Sequence, residues 1–221
     1  MPNYDFLLEH RLKELNSELA YRHTSCMSLF EQMLKKFLAV FPTFTDHTLL
    51  HTLSVANISN QLLRENVRKL NASEIYIYLM ACALHDIGMG VSDKDIDSFI
   101  DASGLRGYVN DHPEISKPNL IRKFHNDFSS QFVKKYWELF EVPSEQYANA
   151  IAEVGRGHRK TDLMDDHADW NFPRNHPATF PKVFVTEDQI PLKKVFAPFQ
   201  ADLMPFQACR NRSANHDLTF A

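Results

Sequence analysis

Ten consecutive residues, Ile75-Tyr76-Ile77-Tyr78-Leu79-Met80-Ala81-Cys82-Ala83-Leu84, are apolar almost all round, and His85-Asp86-Ile87-Gly88 follows at once. A helix with no polar face has no side to offer to water, so this stretch is expected at the centre of its domain with neighbours all round it. Ser73 is the candidate N-cap, and the helix is expected from Glu74 to about Ile87. Gly88 and Gly90 are expected to stop it through a left-handed C-cap. The Tyr76, Tyr78 and Met80 stripe reads as core packing.

The rest of the first two thirds repeats the helical period, with only 6 glycines in 221 residues to interrupt it. Residues 4–20 set Phe6, Leu7, Leu8, Leu12, Leu15 and Leu19 among charges at helical spacing. A second amphipathic stretch runs from about Cys26 to Val40 and ends against Phe41-Pro42. Asp46 or Thr45 can cap a third helix, with Leu50, Leu53, Ile58, Leu62 and Leu63 on its apolar face. Ser92 can cap a short helix to Asp101, and further helices are expected over about 119–140 and 144–154. After Pro173 the period is lost: six prolines fall within residues 173–205. The expectation is an all-α helical bundle over 1–172 and an irregular, Pro-rich segment over 173–221.

Composition excludes several classes. Apolar residues at 44% and charged residues at 24% place the chain among ordinary globular domains, not disordered ones. A net charge of −4 does not favour non-specific nucleic-acid binding. Three widely spaced cysteines, Cys26, Cys82 and Cys209, form neither a disulfide framework nor a zinc signature. Asp5 and Glu9 interrupt the N-terminal apolar stretch, and no run reaches the roughly 20 apolar residues a membrane span needs. The expectation is a soluble domain in a reducing cytoplasm, with no membrane and no specific nucleic acid as partner.

The 11 histidines carry the chemistry. A bare carboxylate at the end of a buried helix is costly, and a divalent cation offsets that cost, because imidazole nitrogen and carboxylate oxygen are both ligands of first-row metals. His85 and Asp86 point about 100° apart around the axis, so they cannot stack on one face but can converge on an ion beyond the helix end. Upstream, His47 and His51 stand four apart on one helix face in Thr45-Asp46-His47-Thr48-Leu49-Leu50-His51. Downstream, His125 and His158 lie in or beside later helices, in Arg122-Lys123-Phe124-His125 and Gly155-Arg156-Gly157-His158-Arg159. The bland alternative is a helix C-terminus where His favours the dipole and Asp makes a turn. His10, His23, His112, His167, His176 and His216 have no supporting context and read as solvated; His47 reads as a capping residue or one that supports a ligand from behind. Arg122, Arg156, Arg159 and Lys160 read as a solvated basic face, which beside a metal site would suit phosphate oxygens, Arg159 foremost.

The order His51, then Ala83-Leu84-His85-Asp86-Ile87-Gly88, then single later histidines resembles the HD superfamily of metal-dependent phosphohydrolases. The Thr45-to-His51 stretch and Arg156-Gly157-His158 are similar to the HD-CE type, often an N-terminal domain of multidomain bacterial proteins. The likeness spans roughly residues 40–165. It implies an HD-like helical fold with His51, His85 and Asp86 as metal ligands, and His125 and His158 as ligands of a second ion or of substrate. The family closes its site with a late Asp, usually in a Leu-Arg-x-Ala-Asp run, of which no clean copy is present. Asp202 is the best-spaced candidate, and Asp162, Asp165 and Asp166 are alternatives. The implied cofactor is one or two divalent ions, Mn, Mg, Fe or Zn. The implied reaction is hydrolysis of a phosphomonoester or phosphodiester by metal-activated water, with Asp86 and Arg159 as the catalytic pair and a nucleotide as the expected substrate class. The alternative is a regulatory HD module that binds metal or nucleotide without turnover and signals to a partner effector domain or a second copy of itself.

Overall fold

The computed structural model describes residues 6–40 and 49–159, without the side chains of residues 34–40, 49, 50, 65 and 159. All of these belong to one compact unit, residues 1–184; a second, 185–221, lies outside the described residues, as does the boundary expected near 172. Eight α-helices and no strand occur among the described residues. In chain order they are α1 (Leu7–Leu15), α2 (Ser17–Val40), α3 (Leu49–Leu63), α4 (Ala72–Leu84), α5 (Asp93–Ala102), α6 (Arg106–Asp111), α7 (Lys117–Tyr136) and α8 (Glu145–Arg156). Short 3-10 turns cover Arg64–Lys69, Ile87–Gly90 and Gly157–Arg159.

Helix α4 is the axis of the domain. Every residue from Ile75 to Leu84 is buried, and α1, α2, α3 and α8 all pack on it. Burial of that kind stabilises by roughly 1.5–3 kcal/mol for each large side chain. Its start is set by Asn71, not Ser73. Asn71 Oδ1 accepts from Glu74 N at 2.9 Å, and Glu74 Oε2 accepts from Asn71 N at 2.8 Å, which completes a capping box. The Ser73 hydroxyl is instead paired with the Tyr147 hydroxyl at 2.6 Å, a tie from α4 to α8.

Two expected boundaries move for local reasons. Asn16 adopts an extended conformation and its Oδ1 accepts from Glu18 N and Leu19 N at 3.1 and 3.0 Å. The chain therefore breaks at Asn16, and α2 runs unbroken through Tyr21–Ser25 to Val40. On α3 the buried positions are Thr52, Ala56, Ser59, Asn60 and Leu63, while Ile58 is exposed. Two of the polar ones are satisfied internally: Asn60 Oδ1 accepts from Leu8 N, and Ser59 Oγ accepts from the Tyr78 hydroxyl while donating to Val55 O. A hydroxyl or amide thus takes a core position where an apolar face was expected.

Candidate metal centre

Gly88 does not end α4 by a left-handed turn; the one described glycine with positive φ is Gly104. Its role is close approach. A Cβ at Gly88 would lie 2.3 Å from Ser129 N, 2.4 Å from His125 O and 2.7 Å from Phe128 C, so only a glycine lets the turn after the doublet lie on the backbone of α7. Helix α7 is itself interrupted there. Phe124 has φ −118° and ψ 21°, a kink immediately before His125.

Three histidines sit where a helix ends or breaks, and each ring covers the carbonyl three residues back. His85 Nδ1 lies 2.9 Å from Cys82 O, His125 Nδ1 2.9 Å from Arg122 O, and His158 Nδ1 2.6 Å from Gly155 O. A carbonyl can only accept, so each Nδ1 carries the hydrogen and donates it. Each Nε2 is left as the metal-competent lone pair. The helix termini thereby fix the tautomer as well as the position.

These Nε2 atoms converge on the buried Asp86 carboxylate. Oδ2 lies 2.9 Å from His85 Nε2 and 3.5 Å from His51 Nε2, which are 3.3 Å apart. Oδ1 lies 3.1 Å from His125 Nε2 and 3.5 Å from His158 Nε2, which are 3.0 Å apart. The result is two triads, His51/His85/Asp86 and Asp86/His125/His158, joined through one carboxylate. Bonds to a metal of about 2.0–2.2 Å put neighbouring ligand atoms about 3.0–3.5 Å apart. The six separations match the edges of two coordination shells. Lone pairs aimed at one another at 3.0 Å, beside a carboxylate, need a positive charge between them, whether proton or metal ion. The residues fit a divalent cation.

Electrostatics divide the rings. Burial, helped by the neighbouring His85 and His125, drives the His158 imidazole down to about 4 despite the Asp86 carboxylate, which favours the neutral form that a metal ligand needs. For His85 burial also opposes the charged form, but the adjacent Asp86 prevails and raises its pKa. Access is asymmetric: the His51 side chain is 38% exposed, against 10% for His125 and 16% for His158. The first triad is the open one.

Five of the candidate residues, His51, His85, Asp86, His125 and His158, are thus brought together. His47, Lys160, Asp162, Asp165, Asp166 and Asp202 lie outside the described residues, as does the side chain of Arg159. Arg156 is engaged by Asp127 at 2.7 Å and Glu153 at 3.6 Å, a bridge between α7 and α8. Of the other histidines, His10 is exposed and His112 donates from Nδ1 to Tyr108 O while stacking on the Tyr108 ring. His23 departs from expectation: it is buried on α2, and desolvation lowers its pKa to about 4. Ser129 and the three ring-bound carbonyls were not visible in the sequence, because only the fold shows which backbone group lies beside which ring.

Neither a curated protein nor a solved structure matches the chain. The family model HD-CE matches residues 41–195, well over half of the sequence and inclusive of every residue in both triads. With the His-Asp doublet at the end of its central helix, this chain belongs to the HD-CE family, an HD-type domain.

Proposed function

We propose that this chain is a metal-dependent phosphohydrolase acting on a phosphomonoester or phosphodiester, with a nucleotide as the substrate class. The observation that carries it is the Asp86 carboxylate shared between two histidine pairs, one oxygen facing each. A divalent ion, when bound, supplies a water acidified toward neutrality and positive charge for a phosphoryl oxygen. Four imidazoles and one carboxylate suit Mn, Fe or Zn better than Mg, which prefers an all-oxygen shell. His51, the exposed member, marks the side from which a phosphate ester approaches. His125 and His158 are less exposed, and their Nδ1 atoms are committed to backbone carbonyls. Arg159 follows His158 directly in sequence, and its guanidinium chemistry suits the equatorial phosphoryl oxygens. Asp202 is retained as the candidate late carboxylate on sequence grounds.

The test is elemental analysis of purified protein beside its His85→Ala/Asp86→Ala double variant, with both assayed on a chromogenic phosphodiester and added Mn²⁺. Near-stoichiometric metal with turnover, both lost in the variant, is the expected result. Wild-type protein that takes up no metal overturns the reading.

A second reading, a regulatory module that binds metal or nucleotide and signals to a partner domain or second copy, is favoured by one observation. Arg156, a cation two residues from His158, is held by Asp127 and Glu153 instead of facing a substrate. Stoichiometric metal with no hydrolysis across a panel of nucleotides supports that reading over the first.

A further inference from the structure

The two triads differ in how they are assembled. His51, His85 and Asp86 come from α3 and the end of α4, which pack on each other. The second triad needs Asp86 to meet His125 from α7 and His158 from beyond α8. The doublet's turn meets α7 at a crossing of two small residues: Gly88 N–H donates to Ser129 Oγ at 2.8 Å, and Ser129 is 2% exposed. Ser129 stands four residues after His125, so hydroxyl and imidazole share one face of α7. Gly88 stands two residues after Asp86. The hydrogen bond therefore ties the residue beside the shared carboxylate to the residue one helical turn from its partner ring.

We propose that Ser129 is a positioning residue that sets the spacing between Asp86 and His125 and so governs the second ion position, an inference resting on the metal reading above. Without the hydroxyl, the Gly88 N–H is left buried with no acceptor, which costs more than the bond itself contributes. The turn relieves this by moving away from α7. A shift of a few tenths of an ångström is enough to spoil a ligand set, and loss of such a supporting partner typically weakens metal binding about 10–100-fold. The first triad, which does not cross to α7, keeps its affinity.

The experiment is Mn²⁺ titration of the full chain and of Ser129→Ala, read by calorimetry and by electron paramagnetic resonance, with Ser129→Thr as the variant that restores a hydroxyl. The expected result is two ions in wild type with an exchange-coupled pair signal. In Ser129→Ala the tighter or weaker of the two steps should fall about 10–100-fold, leaving an isolated-ion spectrum, with recovery in Ser129→Thr. A purely structural role lowers the melting temperature without splitting the two affinities. Two unchanged affinities in Ser129→Ala, or a single ion in wild type, overturn the positioning role while the metal reading stands. No ion in wild type overturns both. If Ser129→Ala does not fold, Ser129→Cys, close in size but a poor acceptor, is read the same way.

Discussion

At the scale of single residues, Asp86 and Gly88 are constrained for different reasons. Asp86 is the one side chain belonging to both triads, whereas His51 belongs only to the open one. Asp86→Asn keeps the shape of the group but removes the charge and one acceptor. It is expected to abolish binding of both ions, while His51→Ala empties the first position and leaves Asp86/His125/His158 occupied. Metal stoichiometry measured side by side distinguishes the two; equal losses in both variants would show the triads to be one site. Gly88 is constrained differently. Alanine there places a carbon 2.3–2.7 Å from three backbone atoms of α7, and backbone cannot rotate out of the way as a side chain can. Gly88→Ala is expected to destabilise by about 1–3 kcal/mol or more, as overpacking does. Urea unfolding checks it, and a midpoint equal to wild type would mean that α7 is free to withdraw. The strict need for glycine thus arises from distance to a neighbour and not from the sign of a dihedral.

At the scale of elements, helix ends decide where the chemistry goes. The capping box at Asn71 and Glu74 starts α4 thirteen residues before the doublet, so it stabilises the helix without touching the ligands. Asn71→Ala is expected to cost about 1 kcal/mol in stability and to leave metal affinity unchanged. Denaturant unfolding and a metal titration on the same sample test both halves, and a change in affinity would show that the cap also sets the helix register. Much of this level was legible in advance. The apolar run of α4 and the approximate spans of α5, α7 and α8 follow from periodicity, because that signal is local; Ser92 stands at the start of α5 as expected, but its hydroxyl donates to Asp95 and caps no backbone N–H. What was not legible depended on partners remote in sequence. Asn71 outcompetes Ser73 because the Ser73 hydroxyl has Tyr147 to meet, 74 residues away. The break at Asn16 hides inside a continuous amphipathic pattern. Helix α6 is one and a half turns long, too short to show a period, and its end is held by His112 on Tyr108 O. The kink at Phe124 carries no proline or glycine to announce it, yet it falls between the Arg122 carbonyl and the His125 ring that covers it. His51 and the doublet could be singled out from their setting. His125 and His158 were candidates by resemblance, but that both face Asp86 is seen only once two helix ends and the break in α7 meet.

At the scale of the whole molecule, buried neutral histidines make the fold sensitive to acid in a direction that can be worked out. His23, packed within α2's buried face and outside the metal cluster, has its pKa lowered from 6.5 to about 4 by desolvation. Between those values the unfolded chain binds a proton that the folded chain refuses. Stability is therefore full near neutral pH, falls as pH drops below about 6.5, and levels off near 4. A depression of that size corresponds to roughly 3 kcal/mol at its limit, a large share of the stability of a domain this size. His158 adds a loss of the same sign, since its pKa is also lowered to about 4 by burial. His85, whose pKa Asp86 raises, contributes in the opposite sense, so urea unfolding with a chelator present at pH 7, 6 and 5 should show a net decline, and His23→Leu should reduce it by removing one of the two losses. If the variant declines as steeply as wild type, the acid response originates elsewhere. Metal would separate the two histidines, because an ion bound at the cluster would hold His158 neutral and do nothing for His23. With saturating Mn²⁺ the His23→Leu protein is expected to keep its stability to pH 5 and to lose it abruptly where the ion is released. Wild type under the same conditions should still decline gradually from pH 6.5.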